Sequence, residues 1–140
     1  MPLVYGAAQR VADWVGQQCG AAAPSVDAAI GYESSGTLTA GVYFDGMLPN
    51  TIFAHIASAA PVMPRSLLQA TCRFAFRQLR VERLTFVVSE GNTRVLDFVV
   101  RLGAVHEGRM VRAFGPHDAL IYTFWRDCQW ARRLLAGGRK

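Results

Sequence analysis

A small set of side chains in this sequence can move protons or hold an anion. His55 sits within the run Thr51-Ile-Phe-Ala-His-Ile-Ala-Ser58. Imidazole titrates near pH ~6.5, so His55 can serve as a base in neutral solution. Tyr122 offers a phenol, and Glu33 and Asp45 place carboxylates at the ends of apolar segments. Arg65 and Ser66 follow Pro64. A helix starting there presents free N–H groups beside a guanidinium, a pairing suited to a phosphate. Asn92 precedes a periodic apolar run. Each has an ordinary structural alternative. His55 can line a sheet, Tyr122 can pack on a strand, and Glu33 and Asp45 can end strands or turns. Arg65 can be a solvated helix-start residue, and Asn92 an N-cap. The sequence has no G-x-S-x-G elbow, H-E-x-x-H pair or Walker loop. Cys19, Cys72 and Cys128 form no C-x-x-C pair and no Cys/His ligand pattern, so no metal site is expected.

The elements that must position these groups belong to one domain, residues 1–140. A chain of this size buries roughly 70% of its unfolded surface and can hold a core without disulfide or metal. It is 51% hydrophobic and 18% charged, which excludes general disorder and leaves enough apolar surface for a homo-oligomer. The N-terminus lacks a basic region followed by an apolar run, so no signal peptide is expected. No apolar run is long enough to span a membrane. Three unpaired cysteines fit a reducing cytoplasm. The net charge of +5 suits an anionic ligand, an acidic protein surface or nucleic acid.

Apolar positions Val4, Ala7, Ala8, Val11, Trp14, Val15 and Cys19 make a helical stripe over 4–19, which Gly20-Ala-Ala-Ala-Pro24 ends. Strands are expected over 26–33, 37–44 and 51–58, with turns at Ser34-Ser35-Gly36 and at Asp45-Gly46 through Pro49-Asn50. On 37–44, Leu38, Ala40, Val42 and Phe44 alternate with Thr37, Thr39, Gly41 and Tyr43, as in a strand buried on one face. Pro64 suits the first position of a helix running to about Leu79. Residues 81–88 read as a strand covered on both faces. Asn92 opens and Gly103 closes the next helix. Two strands, 104–114 and 118–126, flank Gly115-Pro116-His117, and a short basic helix follows over 127–136. This is an α+β plan with a mixed, mostly antiparallel sheet flanked by helices.

The order of elements from the first long helix onward resembles the GNAT superfamily of acyl-CoA-dependent N-acyltransferases. Asn92, Gly103, Glu107 and Gly108 are similar to the Asn…Gly…Glu-Gly signature of the subgroup that acetylates protein N-termini. Ala75-Phe76, Leu79 and Arg83-Leu84 match a second run of that subgroup. The resemblance covers roughly residues 5–126, with the usual first strand short or missing.

The resemblance implies acetyl-CoA as co-substrate and an amine on a protein or small molecule as acceptor. It implies a splayed strand at Ile56 and Ala57 whose backbone meets the pantetheine arm. The pyrophosphate loop then falls at Ala59-Ala60-Pro61-Val62-Met63-Pro64-Arg65-Ser66, which contains no glycine. Arg65 and Ser66 remain at the mouth of the helix, and Asn92 is placed against the cofactor arm. His55, Tyr122 and Glu33 are the catalytic candidates. Where the family often carries a hydroxyl acid, this sequence has Val95 and Val99. Glu107 either orients Arg109 or pairs across the sheet. The reading is an acetyltransferase, and the alternative is a GNAT-fold module that has lost catalysis and serves binding or assembly. The two diverge at 61–66: N–H groups facing an open groove admit the cofactor, whereas Val62 and Met63 filling it do not. A third class, nucleic-acid binding through Trp125, Arg126, Trp130, Arg132, Arg133, Arg139 and Lys140, is set below a solvated helix with its tryptophans on the core.

Overall fold

The computed structural model describes residues 2–20, 25–60 and 62–136. The expected helix stop beyond Gly20, Pro61 of the loop, and the last basic residues Arg139 and Lys140 lie outside the described residues.

The order is β1 (Leu3–Val4), α1 (Ala8–Cys19), β2 (Ala28–Ser34), β3 (Thr37–Leu48), β4 (Thr51–Ser58), α2 (Arg65–Cys72), β5 (Arg83–Ser89), α3 (Thr93–Arg101), β6 (Val105–Phe114), β7 (His117–Trp125) and α4 (Gln129–Ala136). The strands form one seven-stranded sheet in the order β1-β2-β3-β4-β5-β7-β6. Every neighbouring pair is antiparallel except β4 with β5. The chain therefore has the mixed, mostly antiparallel α+β architecture expected from its sequence.

Two cores sandwich the sheet. The larger lies under α2, α3 and α4 and is built on Phe44, Phe76, Leu84 and Phe124. The smaller lies under α1, where Val11, Ala12 and Val15 meet Leu38, Tyr43 and Ala57. Strand β3 is thus covered on both faces, not one, because α1 settles on the side read as open. Two glycines permit that approach. A Cβ on Gly31 would lie 2.9 Å from Val11 Cγ2, and one on Gly41 would lie 3.0 Å from Val11 Cγ1.

Three further differences from the sequence reading have local causes. Val4 belongs to β1 opposite Gly31 rather than to the helical stripe. Strand β3 runs past Asp45-Gly46 to Leu48, and only Pro49-Asn50 turns the chain. The extra length is absorbed by a bulge between Asp45 and Leu48, with Gly46 at φ +66°. After Cys72 the helix widens into a π-turn over Arg73–Gln78. The wider turn lets Phe74 reach Phe44 while Phe76 reaches Phe124.

Candidate functional site

Strands β4 and β5 pair over only three residues, Thr51–Phe53 against Arg83–Thr85. Beyond that point they splay. On its other side β4 stays bonded to β3 as far as the amide of Ala59, which donates to Thr39 O at 2.8 Å. Backbone groups of an antiparallel strand alternate in direction. Odd-numbered residues of β4 therefore face β3, while Ile56 and Ser58 turn their N–H and C=O into the gap. Two side chains bond there: Cys19 Sγ donates to Ile56 O at 3.6 Å, and Arg94 Nη1 to Ser58 O at 3.1 Å.

A cavity of about 230 Å³ fills the crotch of the splay. Its walls include Tyr43, Asp45, His55 and Ile56 on one side and Phe86–Ser89 and Asn92 on the other, with Cys19 of α1 across the top. His55 is held in place twice. Its Nε2 lies 2.9 Å from Asp45 Oδ1. Its ring stacks on Tyr43, with centroids 4.4 Å apart and planes inclined by 19°. The pairing follows from register: Tyr43 is directly opposite His55, and Asp45 lies two residues along on the same face. In the tautomer in which Asp45 accepts from Nε2–H, the ring lone pair sits on Nδ1. The Tyr43 hydroxyl is pushed up in pKa by burial, then by the charges of Asp45 and Cys19. Burial likewise raises Cys19.

The structure brings His55, Ile56 and Asn92 to one cavity and leaves the other candidates apart. Asn92 also caps α3, its Oδ1 accepting from Val95 N at 3.4 Å. Ala57 packs under α1 with its backbone toward β3 and lines the adjoining narrow groove rather than the cavity. Glu33 sits at the hairpin end of β2, paired with Arg10 at 2.6 Å. Tyr122 lies on β7 against His106, with ring centroids 5.2 Å apart, and does not line the cavity. Arg65 is exposed and Ser66 half-buried at the start of α2.

The loop between β4 and α2 is largely self-satisfied. Ser58 Oγ accepts from Ala60 N at 3.2 Å and donates to Val62 O at 3.4 Å. Val62 turns outward, whereas Met63 is buried beneath the groove. The groove running from Ile56 to Ala60, between Met63 and the Arg94–Phe98 face of α3, holds only about 20 Å³. Val95 lines both spaces and Val99 is fully buried, so neither position supplies an acid. No group of three or more metal-ligating side chains occurs among the described residues. Of the two C-terminal tryptophans, Trp130 packs on the large core, but Trp125 stays partly exposed with Arg83 over its ring.

Sequence reading missed Tyr43 and Cys19, and it weighed Asp45 as a strand-end or turn carboxylate near the cleft without pairing it with His55. The available signal was Pro49-Asn50. A hairpin closed there, with one bulge, sets Tyr43 opposite His55.

No protein-family model matches the chain, and no curated protein matches it. Solved structures do. The spermidine/spermine N-acetyltransferase SpeG from Vibrio cholerae superposes with a TM-score of 0.62 at 15% identity, over 82% of this chain and 73% of that one. A presumed acetyltransferase from T. thermophilus gives a TM-score of 0.65 at 20% identity, over 83% and 68%. A GNAT-family acetyltransferase from Bacillus anthracis gives 0.55 at 14% identity, over 72% and 66%. In some neighbours the chain spans less than two thirds of their length, down to 61%. The strand order, the splay after a three-residue parallel pairing and these superpositions agree: the chain has the GNAT fold.

Proposed function

We propose that this protein is an acyl-CoA-dependent N-acetyltransferase in which His55, oriented by Asp45, is the base. The observation that carries this reading is the cavity itself. It lies where β4 has no neighbouring strand on the side of β5, and a paired His–Asp couple stands in its wall. The backbone groups of Ile56 and Ser58 suit the amide-bearing pantetheine arm. The mouth of α2 with Arg65, together with Arg94, suits the phosphates, although the groove must widen there. A bound acyl-CoA supplies an activated thioester carbonyl. His55 Nδ1 would take a proton from the incoming ammonium and free its lone pair for attack on the thioester carbonyl, so that the C–N bond forms as the C–S bond breaks and CoA departs as its thiolate. Asp45 balances the imidazolium that results, and Val15, Val88 and Phe114 make part of the wall apolar.

The cavity is small, so the acceptor's reacting end must be slender: a primary amine on a narrow stem, carried by a small molecule or a chain terminus. The reading places the protein in a reducing cytoplasm, where Cys19, Cys72 and Cys128 stay free thiols. No helix among the described residues is long and apolar enough to cross a membrane. The uncovered strand β6, with Val105 and Val111 outward, suits pairing with a second copy. The neighbours named above are acetyltransferases, none a binding or assembly module.

The test is calorimetric titration with acetyl-CoA, followed by an amine screen that follows release of free CoA thiol. Binding with turnover that is lost in His55→Asn supports the reading. No heat and no thermal shift at millimolar acetyl-CoA sinks it.

A further inference from the structure

One side chain bridges the groove leading out of the cavity. Arg94 stands in the first turn of α3 and reaches across the splay to Ser58 O at 3.1 Å. That carbonyl belongs to the stretch of β4 that the splay leaves without a strand partner on this side. Arg94 enters no ion pair among the described residues. It lines the narrow groove with Ala60, Met63 and Phe98, at the end leading to the glycine-free loop. That loop offers an anion fewer backbone donors than its length suggests. The amides of Ala59 and Ala60 are already bonded, and Pro61 and Pro64 have none.

We infer that Arg94 is a latch on the cofactor groove, holding Ser58 in the empty protein and transferring to a phosphate of the cofactor when the groove opens. This inference rests on the acyl-CoA reading. A bond from the guanidinium to a neutral carbonyl is exchanged for one to a charged phosphate oxygen, which a guanidinium holds more strongly. The same movement uncovers the Ser58 carbonyl for the arm. One residue therefore performs two tasks, and each can be removed separately by choice of ligand.

The experiment titrates the wild type, Arg94→Ala and Arg94→Lys with acetyl-CoA and with S-acetylpantetheine, which has the thioester arm but no phosphate. Arg94→Ala is expected to weaken acetyl-CoA binding about 10-fold or more, in line with a lost charge-assisted hydrogen bond. It is expected to leave S-acetylpantetheine binding unchanged or tighter, because nothing then has to leave Ser58. Arg94→Lys should fall between. Equal weakening of both ligands, or no weakening of acetyl-CoA, overturns the latch while the acyl-CoA reading stands. A wild type that binds neither ligand overturns both. Amide exchange of the ligand-free protein gives a second readout. Residues 58–60 should exchange faster in Arg94→Ala, and an unchanged rate there also overturns the latch.

Discussion

Arg83 on β5 grips Glu107 on β6 across the whole width of β7. Its Nη1 donates to Glu107 Oε2 at 3.1 Å, and its Nη2 bonds Oε1. Nη2 also reaches Thr123 Oγ1 of the intervening strand at 2.7 Å. The reach depends on a bulge. His106 opposes Tyr122 and Gly108 opposes Ile121, so Glu107 is the extra residue and its side chain is re-aimed toward Arg83. Two separate stretches of the sequence, Arg83-Leu84 and Glu107-Gly108, thus meet as one clamp over the outer sheet. Arg109, the other partner considered for Glu107, binds Asp118 at 2.5 Å and Glu90 at 3.3 Å instead.

The clamp predicts a pH dependence. Hydrogen bonds from Arg83, then Thr123, hold the Glu107 carboxyl below its ordinary range. A carboxyl depressed by folding stabilises the fold above its unfolded pKa, about 4.3 for Glu, and loses that contribution as pH falls through the folded value. Glu107→Gln should therefore melt below the wild type at pH 7. The gap should close progressively in acid, as followed by thermal melts between neutral pH and about pH 3. A gap that stays constant would show that packing, not charge, is lost.

Asp45 should matter through His55 rather than by touching substrate. Asp45→Asn retains the size of the side chain and removes the charge that balances the imidazolium. We expect kcat to fall about 10- to 100-fold, the range of a hydrogen bond to a charged group. Acetyl-CoA affinity should be unaffected. His55→Asn should cost more, about 10²- to 10⁴-fold in kcat. Steady-state kinetics beside calorimetry separates the two effects.

The close seat of α1 should be sensitive to a single methyl group. Gly31→Ala puts a Cβ against both Val11 and Leu38 at 2.9 Å. Overpacking of this kind costs about 1–3 kcal/mol. Urea unfolding should show a lower midpoint with an unchanged slope. Because α1 also carries Cys19 over the cavity, ligand affinity should fall in parallel.

Asn92 has two separable roles. Asn92→Ser retains a capping oxygen and should cost at most a few tenths of a kcal/mol in stability. Asn92→Ala should cost about 1 kcal/mol. If the amide also meets the cofactor arm, both variants should bind acetyl-CoA more weakly by a similar factor. Equal affinity of Asn92→Ser and wild type would leave only the cap.

Elements with strong local signals were legible in the sequence. Asn92 as a cap, Gly103 at φ +93° after α3, the Ser35-Gly36 turn and the bounds of β4 all come from residues acting on their own neighbours. His55, Ile56 and Asn92 were legible as candidates because the order of elements places the splay at β4. What sequence could not carry was register. Asp45-Gly46 has the composition of a turn, yet it forms a bulge inside a longer strand, and so the Tyr43–His55–Asp45 grouping stayed hidden. Glu33 and Tyr122 failed to converge on the cavity for a related reason. Proximity to the right strand end says nothing about which side of the sheet a residue faces or which partner claims it, here Arg10 for Glu33 and His106 for Tyr122.

The short parallel pairing of β4 with β5 has a mechanical consequence. Backbone hydrogen bonding crosses the middle of the sheet over three residues only. The two wings, β1–β4 carrying α1 and β5–β7, are joined there as by a spot weld. Twisting one wing against the other widens or narrows the gap while stretching no ladder beyond that weld. Clearance for a ligand can thus come from rotation of intact halves, with the weld as pivot and Arg94 as the catch on the free end.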